Sequence, residues 1–447
     1  MPQKKTRPII VQKKPDIDVE TKKRIRKKYE LIENIKKIQL QYTNTTYNIP
    51  YVFKLNDIRA KSVDKIKLLT STTTIDHPPL MSLGYIYSIR YIEHELNGNL
   101  SKIEKEIINN INDFVVDFDN NTNIVNTFNK YISDKQIHIT DNSFFKLWEI
   151  LSTFDVASKN NMTSIHIGDM NGGFVHAYLV YRNKLHSSQS KQDTIHICAH
   201  NDSKINSKFL NKYSNKINVH KYAKHNNTSY ITCGDIENMV NKNKLAHKVN
   251  FVTANISSDY THATILSEIL CAITALCNGG SFICEFKDLY TNVDIQLLYI
   301  LNSLFDEVYI TKPFTSNITD AEHYIVCVKF TNDDKLVNYY VNMLNELLID
   351  ISKNKSTICT YDAIDTNIKR TIRHVNITIG NKRIYVLSKA LRMINDKILY
   401  NNQYDHMRDE QEQRAKQWAE LFINNKSTKD ALQKIVNTNI EIENKSL

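Results

Sequence analysis

Glycine and proline are scarce in this 447-residue chain, 9 and 7 in number, and tryptophan occurs twice. That scarcity, beside abundant Asn, Ile and Lys, suggests A+T-rich coding, which shapes composition without revealing function. The 7 cysteines contain no CxxC pair and are odd in number. That argues against a zinc finger and a secreted disulfide scaffold, and predicts a reducing, cytoplasmic setting. No run of 18 apolar residues is present, and Met1-Pro2-Gln3-Lys4-Lys5 lacks the apolar stretch of a signal peptide, so no membrane partner is expected. The 15 histidines form no HExxH, so no metal site is expected. GxGxxG is missing too, which removes a nucleotide-binding oxidoreductase.

What is there reads as globular, with 41% apolar and 24% charged residues. There are 58 Lys+Arg against 48 Asp+Glu, a formal net charge of +10, and residues 1–30 alone hold 11 Lys/Arg against 4 Asp/Glu. Residues 1–29 are therefore expected to be a basic flexible arm, which attracts polyanions or is simply solvated. Residues 30–139 are expected to form an N-terminal α+β region, with Leu31, Ile32, Ile35, Ile38 and Leu40 at helical spacing and 101–134 helical and polar.

From about 140 the pattern becomes alternating β and α, the mark of a parallel sheet covered by helices. The expected order is a helix over 141–158, then the strand 164–168, which ends in Asp169-Met170-Asn171-Gly172-Gly173-Phe174 and a helix. Strands follow at 194–198, 230–233 and 250–254, then a long apolar helix over 261–277. Gly279-Gly280 should break that helix and open the strand 281–286; a helix over 292–304 and strands at 307–311 and 323–330 close the sheet. Residues 140–332 are thus one expected domain and 333–447 a helical C-terminal region.

Glycines at a strand end let a backbone approach a ligand, although any tight turn also wants them. Asp235, in Gly234-Asp235-Ile236, suits an adenine amino group or a ribose, and equally a helix cap. Lys204, Lys208, Lys212, Lys216, Lys221 and Lys224, interleaved with Tyr213 and Tyr222, make either a single-strand RNA surface or a solvated loop.

The ordered set Phe145-Lys146-Leu147-Trp148-Glu149, Gly172-Gly173-Phe174, Gly234-Asp235-Ile236, Gly279-Gly280-Ser281-Phe282, Lys312-Pro313-Phe314-Thr315-Ser316 and Glu322-His323-Tyr324-Ile325-Val326-Cys327 resembles the FtsJ/RrmJ-like RNA 2′-O-ribose methyltransferases. It looks closest to the cap-methylating branch, including forms from large cytoplasmic DNA viruses, and it covers about 140–330. The resemblance implies a Rossmann-like methyltransferase sheet in an α/β fold, S-adenosylmethionine as cofactor and capped mRNA as partner. It further implies a protein partner in a capping or virion complex, with the virion or viral factory as a location. The cofactor would lie near Asp169, Asn171, Gly172, Gly173, Phe174, Asp235 and Asn255.

The family holds the ribose with a Lys-Asp-Lys-Glu tetrad whose second lysine deprotonates the 2′-hydroxyl. Lys146 and Glu322 match its ends. Its middle positions fall on Asn255 and Glu285, with Asp259 a weaker substitute for the aspartate. Asn255 keeps an amide and loses the charge; Glu285 inverts the charge yet can accept a proton. Lys287, two residues on and so on the same face of a strand, is the other candidate acceptor. Two readings follow: an S-adenosylmethionine-dependent RNA 2′-O-methyltransferase, or an inactive relative serving as an RNA-binding or structural subunit.

Overall fold

The computed structural model describes residues 51–55, 67–71, 141–168, 171–200, 215–222, 231–255, 261–331, 333–354, 357–359, 365–395 and 418–424, with 94, 129, 132, 137, 139, 213, 412–413 and 415–416. The chain divides into Met1–Ile49 and Pro50–Leu447, and every described residue belongs to the second unit. The basic arm and the helix expected at 30–40 lie outside the described residues, as does nearly all of 101–134.

The strands are β1 (Tyr51–Lys54), β2 (Leu69–Ser71), β3 (Thr163–Ile167), β4 (Thr194–His200), β5 (Ile217–Tyr222), β6 (Val249–Ala254), β7 (Leu276–Phe286), β8 (Phe305–Lys312), β9 (His323–Phe330) and β10 (Thr357–Cys359). The helices are α1 (Ser143–Phe154), α2 (Gly173–Leu185), α3 (Cys233–Lys242), α4 (His262–Ala275), α5 (Asn292–Leu304), α6 (Asp334–Asn354) and α7 (Thr366–Asn395), and Ala419–Asn424 makes a π-helical turn.

Eight strands form one sheet in the order β1-β8-β9-β7-β6-β3-β4-β5, and β2 pairs with β10 apart from it. From β5 to β7 neighbours run parallel; β9 lies antiparallel between β7 and β8, and β1 adds an antiparallel edge. The fold is the expected α/β, Rossmann-like sheet with helices at the C-terminal end. The chain runs outward from β3 through β4 to β5, then returns to β6 on the other side of β3. That reversal opens a crevice at the carboxyl ends of β3 and β6.

The central parallel strands β3 and β6 are buried, and their polar side chains pair with one another: His166 meets Thr253 Oγ1 at 2.8 Å and Ser164 Oγ at 3.2 Å. One face presents Ile165, Ile167, Val252, Ala254, Phe282, Cys284, Ile310 and Ile325 to the main core. The parallel register Ile167↔Ala254 and Ala254↔Cys284 puts Asn255 and Glu285, each one residue on, on the opposite face at the crevice end. There α2 packs Tyr178 against His166 and Phe251. Thr232 and Thr291 close capping boxes with Asp235 and Asp294 at the starts of α3 and α5, each box worth about 1 kcal/mol.

Three expectations need correction. No strand occupies 230–233: Ile231 and Thr232 lead into α3, because Thr232 caps that helix, and Tyr230 lies outside the described residues. The third parallel strand is β5, inside the lysine-rich stretch, where Tyr222 is buried rather than offered to a base. The strand after α4 begins at Leu276 and runs through Gly279-Gly280. Gly279 takes φ +70° where the register against β6 shifts, so this pair marks an irregularity inside a strand and not its start.

Candidate active site

Lys146 rises from α1 and Glu322 stands just before β9; sheet packing brings the two to the crevice. Lys146 Nζ lies 2.6 Å from Glu322 Oε1 and donates to Oε2 at 2.8 Å. Ser316 Oγ donates to Glu322 Oε1 at 2.6 Å. Burial works against the Lys146 ammonium, but the Glu322 charge and hydrogen bond outweigh it and raise the lysine above its usual range. Burial would also raise Glu322; the charges of Lys146 and Lys312, with the bonds from Lys146 and Ser316, overcome it and hold the carboxyl at about 2. The pair is ionised at neutral pH, and Lys146 cannot serve as a base while so held.

Glu285 behaves oppositely. It sits in register with Tyr324 of β9 and is buried. Burial, reinforced by the Glu322 charge, pushes it up to about 7 against the pull of Lys146, Lys287 and Lys312. Lys287 lies just past the end of β7, half-buried, and acts on Glu285 as a neighbouring positive charge. Asn255 donates its backbone N–H to Ile167 O at 2.9 Å. Its side-chain Oδ1 is buried and has no partner among the described residues.

Lys312 does not compete for the Glu322 carboxylate. Its Nζ donates to the backbone oxygens of Asp320 at 2.9 Å and Glu322 at 2.8 Å, and burial lowers it to about 8. His323 must carry its proton on Nδ1, because that nitrogen meets Ala321 O at 2.7 Å and a carbonyl only accepts. Burial lowers its pKa to about 3, so it stays neutral.

The glycine turn is built partly for packing. Gly172, at φ +82°, takes the left-handed conformation that a side chain disfavours. A Cβ on Gly173 would overlap Ser143 Oγ and come 2.5 Å from Asp141 Oδ1, so this glycine lets α2 and α1 start side by side. Asp141 ties the two starts together, accepting from Asn171 Nδ2 and from Ser143 N, each at 2.9 Å. Phe174 is buried, its ring 6.2 Å from that of Tyr324. One oxygen of Asp235 is taken by the cap, accepting from Thr232 Oγ1 at 2.6 Å. Asp169 and Asp259, with Lys204, Lys208, Lys212 and Lys224, lie outside the described residues. Lys216 donates to Ser190 O at 2.8 Å.

Sequence reasoning gave Glu149 no role, and none to Trp418. Glu149, one turn beyond Lys146, is buried and meets donors only: Phe314 N at 2.8 Å on Oε2, and Thr315 N at 3.0 Å, Thr315 Oγ1 at 2.6 Å and Trp418 Nε1 at 2.8 Å on Oε1. Burial pushes this carboxyl up to about 7, opposed by those donors. Trp148 Nε1 in turn donates to Phe422 O at 2.9 Å. The C-terminal turn thus clasps α1 and, through Glu149, the 313–316 loop that supplies Ser316 to Glu322. The only sequence signals were the motif Phe145–Glu149 and the rarity of tryptophan. Among the described residues no three His, Cys, Asp or Glu are grouped to hold a metal ion, and no described helix is long and apolar enough to cross a membrane.

Residues 140–330 match the profile of a family described as FtsJ-like methyltransferase. The chain is 25% identical over 229 residues to a cap-specific mRNA (nucleoside-2'-O-)-methyltransferase 2 of Drosophila melanogaster, covering 45% of this chain and 31% of that one. It is 30% identical over 136 residues to a cap-specific mRNA (nucleoside-2'-O-)-methyltransferase 1 of Dictyostelium discoideum, covering 30% and 17%. A Caenorhabditis briggsae protein named as an inactive cap-specific mRNA (nucleoside-2'-O-)-methyltransferase 1B is 23% identical over 166 residues, covering 35% and 19%. The chain spans less than a third of the length of these relatives.

Proposed function

We propose, from the match of residues 140–330 to the FtsJ-like methyltransferase family, that the protein methylates the 2′-oxygen of a ribose in capped RNA. The observation that carries this reading is the convergence of Lys146, Glu322, Asn255 and Glu285 at the carboxyl ends of the central strands, with one carboxyl ionised and the other raised to about 7.

The residues fit S-adenosylmethionine. Asn255 holds a buried oxygen in want of a donor, Gly172 keeps a side chain off the turn, and two carboxyls suit a cationic sulfonium. Asn255, Gly172 and the start of α2 would hold the cofactor, which when bound supplies an activated methyl group.

Glu285 accepts the proton of the ribose 2′-hydroxyl on a carboxylate oxygen, which leaves the ribose oxygen as the nucleophile toward a methyl group that would part from the donor's sulfur. A carboxyl near 7 is matched to this task at neutral pH, because it is half ionised and still basic. Lys146, held by Glu322, positions the hydroxyl and places a fixed positive charge beside the oxygen as negative charge develops there. Lys287 keeps Glu285 from rising further.

The test is methyl transfer from labelled S-adenosylmethionine to a capped single-stranded RNA. Wild-type protein should bind the methyl donor, seen as a melting shift, and should transfer the label. Lys146→Met should lose about 10²-fold or more of the transfer rate while donor affinity stays within about twofold of wild type. Failure to bind the donor removes the reading. Binding with no transfer to any capped RNA would leave an RNA-binding subunit in its place.

A further inference from the structure

Helix α7 carries 7 lysines and arginines and no aspartate or glutamate over its 30 residues. Helical spacing sorts its two faces. Ile368, Ile372, Val375, Ile379, Val386 and Ala390 are buried against the core. Arg370, Arg373, Ile377, Asn381, Tyr385 and Lys389 succeed one another at steps of three or four on the exposed face. Surface helices ordinarily interleave both signs along such a face; this one cannot neutralise itself from its own residues. It also leaves large apolar groups in water, Ile377 at 52% and Tyr385 at 62% exposure, with Lys382 Nζ 5.9 Å over the Tyr385 ring.

The helix borders the crevice. Arg383 Nη1 donates to Asp288 Oδ1 and its Nε to Thr319 O, both at 2.9 Å, and Asn376 Nδ2 donates to Leu289 O at 2.8 Å. Asp288 follows Glu285 by three residues, at most about 10 Å of chain, and Thr319 precedes Glu322 by three. From Arg370 to Lys389 the exposed row runs for about 29 Å. A positive row with an exposed aromatic ring, on a helix whose buried Arg383 reaches the chain just past Glu285, fits a single-stranded polyanion whose bases can stack better than it fits an acidic protein surface.

Resting on the methyl-transfer reading, we propose that the exposed face of α7 is the track that carries single-stranded substrate RNA to the crevice. Arg370, Arg373 and Lys389 meet phosphates, and Tyr385 stacks under a base.

The experiment is fluorescence anisotropy of a labelled, capped single-stranded RNA with the full chain, from about 50 to 300 mM salt. The triple variant Arg370→Ala, Arg373→Ala, Lys389→Ala should bind at least about tenfold more weakly near 150 mM salt, with a salt slope reduced by about 2. Tyr385→Ala should cost about fivefold or more, and Tyr385→Phe much less, since the ring does the stacking. All four changes are on exposed side chains, and an unchanged melting temperature and methyl-donor affinity show that the fold is intact. Unchanged RNA affinity and slope in the triple variant overturn the track, as would a competing acidic peptide that binds α7 while RNA does not. The two readings fail separately. RNA bound through α7 by a wild-type protein that transfers no methyl removes the enzyme and keeps the track. Methyl transfer with an unaltered KM for RNA in the triple variant removes the track and keeps the enzyme.

Discussion

Replacing Glu285 with glutamine keeps the shape of the side chain and removes its proton chemistry. The wild-type carboxyl is moved from 4.5 to about 7, chiefly by burial. The fold therefore prefers the neutral acid. The stability this preference gives is complete below pH 4.5 and is lost as pH climbs through about 7. Its size is about 3 kcal/mol for a buried group so shifted. Glu322 tilts the other way: its lowered carboxyl gives stability above 4.5 that fades as pH falls toward 2. Subtracting the Glu285→Gln curve from wild type across pH 4–8 isolates the Glu285 contribution. Thermal melts at half-unit steps should show wild type losing ground to the variant as pH rises. Catalysis should run opposite to stability. An acceptor titrating at about 7 raises the rate of methyl transfer about tenfold between pH 6 and 8. Glu285→Gln should lose about 10²-fold or more of the rate, and what remains should be flat with pH. A variant that keeps wild-type turnover, or keeps the same pH profile, would refute the assignment of Glu285 as the proton acceptor. A melting difference that does not change with pH would refute the buried, raised carboxyl itself.

Two other outcomes follow from the packing around α1. Trp418→Phe retains the ring and loses the indole N–H on Glu149, so it should cost about 1–2 kcal/mol. In a double-mutant cycle with Glu149→Gln the two losses should sum to less than expected; full additivity in denaturant unfolding would mean that the indole and carboxylate do not interact. Gly173→Ala should cost about 1–3 kcal/mol, because the added methyl displaces Ser143 and Asp141 from the joint start of α1 and α2. An unchanged unfolding midpoint would show that those helix starts yield freely.

The legible parts of the sequence were those whose signal is local. The buried strand His323–Phe330 stands out as an apolar run, and Thr291 with Asp294 announces the start of α5. Strand β5 was hidden because it is the exposed edge of the sheet: Asn218, Val219 and Lys221 face water, so its composition reads as a loop. Gly279-Gly280 misled because glycine marks a strand irregularity as readily as a strand start. At the site, Lys146 and Glu322 were found by resemblance and meet as an ion pair. Asp235 could be read as a ligand or as a cap, and the cap takes one of its oxygens. The clasp on Glu149 had no local trace, since Trp418 lies 269 positions away along the chain.

That separation has a consequence for anyone cutting the gene. The stretch that carries the family likeness, 140–330, stops well short of Trp418. A fragment trimmed to it would expose Phe145 where the second indole had rested, and would leave a buried acid short of one donor and the neighbouring Trp148 indole without its acceptor. A piece cut to 140–330 therefore lacks side chains that pack against and bond to α1, the helix that carries Lys146.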